Sequence, residues 1–202
     1  MVKVTPGFTN ILLFDKVFIS PDSLPYSFSL PVYAALTGII LLYSQKKRGV
    51  SCIQIWTQAL RVIPFPLCFV AIVLIGTAFS FHYIRFDPKY NPAIFLPWAW
   101  CNLFFTCTAE EAFFRGFLQK EFTATFHTIK GGTWIALALS SILFGCAHYQ
   151  GGFAYVILST LAGLGYGYVY LRSQVIESSI FLHFLVNAIH FIGFSYPALN
   201  HS

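Results

Sequence analysis

The fold is decided by residues 131–171, which read GGTWIALALSSILFGCAHYQGGFAYVILSTLAGLGYGYVYL and contain no Asp, Glu, Lys or Arg. The run is too long for a single membrane-spanning helix, which needs about 20 apolar residues. The Gln150-Gly151-Gly152 step in its middle favours a turn. The run therefore predicts two adjacent apolar helices, each able to cross a bilayer.

Similar windows without acidic or basic residues occur on both sides of this run. The whole chain of 202 residues is 57% hydrophobic and only 9% charged, whereas soluble domains carry about 25% charged residues. This composition excludes a soluble globule and a disordered chain. It predicts an all-α fold, a polytopic membrane helix bundle of about six transmembrane helices that forms a single membrane domain over residues 1–202. The other predicted spans lie within Ser23–Gln45, Val62–Ile84, Tyr90–Ala109 and Ser178–Ser202.

The N-terminal segment Phe8–Ile19 is apolar but short, and Asp15 and Lys16 interrupt it. Such a segment favours an amphipathic helix lying in the membrane interface. A seventh span is the alternative prediction for the same residues.

The net charge of +5 is spread along the chain rather than concentrated in one patch. Scattered Lys and Arg between apolar runs are typical of the loops that set membrane topology, so we expect the lipid bilayer and no nucleic acid as a partner. The short chain, which shows no organelle-targeting signal, predicts a multi-pass protein of the plasma (inner) membrane.

Ionisable side chains inside apolar segments are costly and commonly functional. The first such group is Glu110-Glu111-Ala112-Phe113-Phe114-Arg115, which follows twenty uncharged residues. Helical spacing places Glu111 and Arg115 on one face, where they can pair, and turns Glu110 about 100° away. One carboxylate would then be free to act as a base. A helix end with solvated charges at the headgroups is an equally good explanation of this segment alone.

Two more polar groups follow along the chain. Phe144-Gly145-Cys146-Ala147-His148 lies at the end of an apolar helix, and His183 shares a helical face with Asn187 four residues later. Two donors on one buried face could stabilise an oxyanion, although buried His and Asn also bond helices together. His190, a further turn along that face, is either an extra site residue or a packing residue.

The three groups, taken in order, resemble the motifs of the CAAX protease and bacteriocin-processing family of intramembrane proteases, also called Abi or type II CAAX endopeptidases. The motifs are Glu110-Glu111-xxx-Arg115, Phe144-xxx-His148 and His183-xxx-Asn187. The resemblance places the protease core at residues 102–194. It implies hydrolysis of a peptide bond in a membrane-anchored or lipidated protein or peptide.

The resemblance also implies roles for single residues. Glu110 would activate water, His148 would help to hold that water, and His183 with Asn187 would form the oxyanion hole. Glu111 and Arg115 would orient the first carboxylate. A metal-free mechanism without a cofactor is expected, and zinc held by His148, His183 and Glu110 is the alternative, because two His and one Glu can form an open zinc site.

Helix length gives a separate prediction about which of these residues meet. A hairpin that turns near residues 127–132 would bring Glu110 and His148 to similar depth, at about 1.5 Å per residue. His183 lies only a few residues beyond the 172–177 loop, so it should be shallower, unless that loop is recessed or the last helix is shifted. The rival functions are a catalytically idle scaffold or immunity-type protein of the same fold, and a small proton-coupled transporter.

Overall fold

The computed structural model describes residues 12–30, 32–45 and 52–200, and there the chain is mostly helical. The helices are α1 (Val32–Gln45), α2 (Cys52–Val62), α3 (Pro64–Ser80), α4 (92–125), α5 (Gly132–Ala147), α6 (Phe153–Ser173) and α7 (Ile176–Gly193), with a short 3-10 turn at Tyr149–Gly151. The predicted break in the long apolar run is confirmed. It lies at this turn, where Gly152 adopts a φ of +85° that side chains rarely tolerate.

Helix α4 is continuous but not uniformly α-helical. Two segments are π-helical, and the residues that join the segments keep right-handed helical backbone angles. Asn91 caps its start by accepting a 3.0 Å hydrogen bond from the backbone nitrogen of Ala93. In order, the segments are Pro92–Cys101 (α), Asn102–Cys107 (π), Thr108–Glu111 (α), Ala112–Gln119 (π) and Lys120–Thr125 (α).

The prediction of an interfacial helix at the N-terminus is wrong for the residues that can be compared. Strand β1 (Leu12–Val17) pairs antiparallel with β2 (Tyr26–Ser29), and residues 8–11 lie outside the described part of the chain. An apolar segment too short for a stable isolated helix satisfies its backbone hydrogen bonds by pairing with a second segment. The all-α prediction is therefore too narrow, because the mostly helical chain also contains this two-stranded sheet.

The same hairpin shortens the first predicted span. Within Ser23–Gln45 the helix begins only at Val32, because Tyr26–Ser29 is a strand. The hairpin is tied to the C-terminal segment, where the backbone nitrogen of Leu24 donates to the carbonyl of Ala198 at 2.9 Å. The hairpin and the C-terminal segment that follows α7 thus form one unit beside the helices, which we call the cap.

Among the described residues, α6 and α7 are long and apolar enough to cross a membrane. The pair Ile53–Val62 and Pro64–Ser80 passes the same test as one span bent by 47°, and Gly132–Ala147 is apolar but shorter. Proline explains the bend, because it lacks a backbone donor and favours the first turn of a new helix. The number of about six spans is not confirmed and stays a prediction.

The core lies where α4, α5, α6 and α7 meet. Phe114, Phe144, Tyr166 and Leu182 form its centre, one residue from each of these helices in turn, and each is at most 9% exposed. Many other large apolar side chains point outward, such as Phe65 at 78% and Ile72 at 71% exposure. An apolar exterior around a packed interior is suited to lipid rather than water.

Candidate active site

Glu111 has hydrogen-bond partners on both of its carboxylate oxygens. It is fully buried. Its Oε1 lies 3.2 Å from Nη1 of Arg115 and 2.9 Å from Nδ1 of His183, and its Oε2 accepts a 2.6 Å hydrogen bond from Ser179. The predicted pairing with Arg115 is present. A buried carboxylate needs this kind of complete satisfaction, because each missing partner is expensive in low dielectric.

Arg115 is also fully buried, and its guanidinium bridges two helices. Nη2 donates to the carbonyl oxygen of Gly163 at 2.9 Å. The ring of Phe144 lies 4.5 Å from the guanidinium carbon, a distance typical of a cation–π contact. Arg115 thereby holds Glu111 of α4 in a fixed place relative to α5 and α6.

Glycines on α6 allow α4 to approach this closely. Gln119, one turn beyond Arg115, donates to the carbonyl of Gly167 at 3.0 Å. A Cβ atom at Gly167 would lie 2.4 Å from the Leu137 side chain and 2.5 Å from Oε1 of Gln119. Side chains at Gly163 and Gly167 would therefore disturb the hydrogen bonds that Arg115 and Gln119 make.

Glu110 faces the other way, as the helical spacing predicts. Its Oε2 lies 3.9 Å from Nε2 of His148 and 4.0 Å from Nε2 of His183. Both separations are too long for direct hydrogen bonds. This oxygen is buried and has no hydrogen-bond partner among the described residues. Both carboxylate oxygens of Glu111 thus have hydrogen-bond partners, whereas Oε2 of Glu110 has none among the described residues.

The ring of His148 is held by its own helix. Nδ1 lies 2.7 Å from the carbonyl oxygen of Phe144, four residues earlier. A carbonyl oxygen can only accept, so Nδ1 carries the hydrogen. In the neutral ring, Nε2 is then an acceptor, and it is the atom that faces Glu110.

The connection between α6 and α7 is partly buried, and His183 follows it after a few residues. Ser173 and Ser178, which flank the connection between α6 and α7, are fully buried. Gln58 of α2 covers the connection by donating to the carbonyl of Ser173 at 2.6 Å. His183 lies beside Glu110, with Nε2 4.0 Å from Oε2, although few residues separate it from the connection. A recessed loop and a shifted last helix both stay predictions for its depth.

Asn187 and His190 continue the same face of α7. Nδ2 of Asn187 donates to Oδ1 of Asn102 at 3.2 Å. Nε2 of His190 lies 3.2 Å from the carbonyl oxygen of Ser195, and its ring packs beside Tyr196. His190 thus fastens the C-terminal segment and also borders the cavity described next.

A cavity of about 630 Å³ joins these side chains. Its volume is within the usual range for ligand sites, and it extends from the polar groups toward the cap formed by β2 and the C-terminal segment. Among the residues that line it are Glu110, His148, His183, Asn187, Asn102, Tyr26 and Tyr196. Glu111 and Arg115 are not part of the lining, so they act on the cavity only through other residues.

The predicted alternative of a zinc site can be compared with the geometry. Atoms bound to one tetrahedral zinc ion at about 2.0–2.1 Å lie about 3.3 Å apart, whereas Glu110 Oε2 is 3.9 and 4.0 Å from the two histidine nitrogens. Across the described ranges, no three His, Cys, Asp or Glu side chains are grouped to hold a metal ion. As positioned here, the three residues do not fit zinc.

Four side chains of the site did not stand out in the sequence. Ser179 and Gln119 lie four residues before His183 and four after Arg115, so helical spacing could have found them. Tyr166, whose ring stacks 4.4 Å from that of His183, gave no signal in an apolar run rich in aromatic residues. Asn102 was visible only as a lone amide in an apolar span.

Comparison with known proteins supports the motif-based interpretation. Residues 91–189 match the family model described as type II CAAX prenyl endopeptidase, Rce1-like. This match includes all three motifs and confirms the predicted resemblance to the CAAX protease family. The family implies a membrane-embedded protease. Searches of curated proteins and of solved structures gave no match.

Proposed function

We propose that this chain, whose residues 91–189 match the Rce1-like family model, is an intramembrane endopeptidase in which Glu110 activates the attacking water. One observation carries the proposal. Oε2 of Glu110 is buried without a hydrogen-bond partner among the described residues, and it faces two imidazole nitrogens across gaps of 3.9 and 4.0 Å.

Those gaps suit one water molecule. A water oxygen about 2.8 Å from each atom would bridge Glu110 and His148 with normal hydrogen bonds. The carboxylate and Nε2 of neutral His148 are both acceptors, so the water donates a hydrogen to each. Its lone pair is then directed away from both residues and toward the cavity.

In the reaction, the oxygen of this water attacks the carbonyl carbon of the substrate while Glu110 takes one of its protons. The tetrahedral intermediate carries an oxyanion. Glu110 then gives the proton to the leaving amine as the C–N bond breaks. The products are a carboxylic acid and an amine, and Glu110 returns to its starting state.

His183 and Asn187 supply the hydrogen bonds to the oxyanion in this scheme. Nδ1 of His183 donates to Glu111, whose negative charge is balanced by Arg115. Nε2 carries a hydrogen as well only when the ring is an imidazolium, which is the form that this role requires. A charged His183 and the amide of Asn187 would together stabilise the developing charge.

Glu111 and Arg115 have an indirect role in the proposal. Glu111 contacts Arg115, Ser179 and His183. These contacts support a role for Glu111 in orienting His183, whereas the family resemblance implies that Glu111 orients Glu110. The carboxylate fixes which nitrogen of the His183 ring faces the cavity.

We further propose that the substrate is a membrane-anchored or lipidated protein or peptide, and that the chain is a multi-pass protein of a plasma (inner) membrane. The apolar exterior and the apolar helices α6 and α7 support the membrane location. The extent of the cavity, from the polar groups to the cap, supports a substrate larger than a single amino acid.

The experiment compares Glu110→Gln with Glu121→Gln, a change of the exposed carboxylate near the end of α4. Purified variants in proteoliposomes are given a panel of membrane-anchored and lipidated peptides, and products are identified by mass spectrometry. We expect cleavage by wild type and Glu121→Gln, none by Glu110→Gln, and equal melting temperatures. Full activity of Glu110→Gln would overturn the base assignment. Wild type that cleaves no member of the panel would favour the scaffold or the transporter.

A further inference from the structure

We infer, building on the proposed function, that Asn102 is a positioning residue that fixes the carboxamide of Asn187 with its nitrogen toward the oxyanion. Asn102 belongs to α4, is 8% exposed and lines the same cavity as Asn187. It is separated from Asn187 by 85 positions in the sequence. None of the three motifs contains it.

The hydrogen-bond chemistry of the two amides carries the inference. Oδ1 of Asn102 accepts from Nδ2 of Asn187 at 3.2 Å. If the Asn187 amide were rotated by half a turn, two carbonyl oxygens would face each other without a hydrogen between them. Asn102 therefore selects one orientation. Nδ2 of Asn187 carries two hydrogens; within the described part of the chain, besides Asn102 it donates only to Sγ of Cys107, a weak acceptor at 3.8 Å that an oxyanion in the cavity would replace.

Cys107 in turn orients Asn102. Its buried thiol donates to the same oxygen, Oδ1 of Asn102, at 3.3 Å. Sγ of Cys107 also lies 3.8 Å from Nδ2 of Asn187. The three side chains form a small polar cluster beside the catalytic groups.

The π-helical segment Asn102–Cys107 is what brings this cluster together. In an α-helix, two residues five positions apart point about 140° away from each other. In a π-helix the backbone hydrogen bond runs between residues five apart and the turn is wider, so two such residues lie closer to one face. The hydroxyl of Thr108 bonds to the carbonyl of Leu103 at 2.8 Å, with the same offset of five. The irregularity in α4 thus serves the alignment of Asn102 with Cys107.

The test is a double-mutant cycle, measured by cleavage of a peptide that the wild-type protein cleaves. Asn102→Leu removes the acceptor and keeps a similar volume, and Asn187→Ala removes the proposed donor. We expect Asn102→Leu to lower kcat on the order of tenfold with little change in KM, less than the 10²–10³ typical for loss of a direct donor. In the Asn187→Ala background the same change should cost almost nothing further, because Asn102 acts through Asn187.

Two other variants separate positioning from packing. Asn102→Asp keeps an acceptor and should retain more kcat than Asn102→Leu. Thr108→Val removes a hydrogen bond of the same helix region, from the Thr108 hydroxyl to the Leu103 carbonyl, and keeps both amides and the bond between them, so it should lower the melting temperature but not kcat. Additive losses in the cycle, or equal kcat losses in Thr108→Val and Asn102→Leu, would overturn the inference.

A measurement without a substrate distinguishes failure of this inference from failure of the proposed function. The chain has five asparagines, so selective ¹⁵N labelling gives few side-chain amide signals in detergent. The Asn187 signal, assigned by its loss in Asn187→Ala, should move in Asn102→Leu and stay near its wild-type position in Thr108→Val. An Asn187 signal unchanged by Asn102→Leu would overturn the inference whether or not the protein is a protease.

Discussion

Ser179 donates a hydrogen bond of 2.6 Å to Oε2 of Glu111, and both side chains are fully buried. The same hydroxyl lies 3.0 Å from the carbonyl oxygen of Tyr166. A serine four residues before His183 thus contacts the carboxylate that holds His183 in place. The start of α7 contributes to the site through this serine as well as through the histidine.

Replacement of Ser179 by alanine should destabilise the protein by about 1–3 kcal/mol, because Oε2 of Glu111 would lose its hydrogen-bond partner in a buried place. The melting temperature in detergent, followed by tryptophan fluorescence, measures the effect. Ser178→Ala is the matched control, since the Ser178 hydroxyl is buried and has no hydrogen-bond partner among the described residues. It should be neutral or slightly stabilising. Equal destabilisation by the two changes would contradict the importance of the Ser179 contact.

Replacement of Arg115 by methionine should destabilise the protein by about 3–5 kcal/mol, because it leaves the buried Glu111 carboxylate without its counter-charge. Activity should fall with it. Arg85→Met is the control. It removes an exposed ion pair with Asp22, whose side chains are 50% and 75% exposed, and such pairs contribute about 0–1 kcal/mol. Denaturant titration in mixed micelles compares the two variants, and similar losses would argue against a structural role of the buried pair.

Replacement of Gly167 by alanine should cost about 1–3 kcal/mol through overpacking. The added methyl would lie 2.4 Å from the Leu137 side chain and 2.5 Å from Oε1 of Gln119. The same change at Gly76, where nothing lies within 4 Å of the added atom, should be neutral or stabilising by up to about 1 kcal/mol. Thermal unfolding of both variants tests the prediction. A Gly167→Ala protein as stable as wild type would show that α4 and α6 can separate without loss.

Protein purified without added metal should contain less than one equivalent of zinc and stay active after dialysis against a strong chelator. The reason is that the proposed mechanism uses a carboxylate and two imidazoles in place of a Lewis acid. Elemental analysis and activity are measured on one sample, because chelators can also disturb membrane proteins directly. Stoichiometric zinc, with activity lost on stripping and restored on its addition, would replace the mechanism and keep the same residues.

Much of the local structure could be predicted from spacing along the chain. The pairing of Glu111 with Arg115 is a contact between residues four apart on one helix, so a period of 3.6 residues is sufficient to find it. The turn at residues 149–152 followed from two adjacent glycines in an apolar run. Charge-free windows marked where most helices lie, because the cost of charge in lipid acts on each residue separately.

Spacing along the chain did not predict the hairpin formed by Leu12–Val17 and Tyr26–Ser29. A short apolar segment has no strong preference of its own, and its state depends on whether a partner strand is nearby. The π-helical segments of α4 were not predicted either. The first of them, Asn102–Cys107, places the thiol of Cys107 3.3 Å from Oδ1 of Asn102.

By itself, the sequence determined that the chain is an apolar, mostly helical protein and that its costly polar residues fall into three ordered groups. Only the tertiary structure decided which of them meet. The distances from Glu110 to His148 and His183, and from Glu111 to Ser179, depend on how α5 and α7 pack against α4 and how closely α4 approaches the glycines of α6. Periodicity fixes directions around one helix axis, whereas these distances are set by the packing of several helices at once.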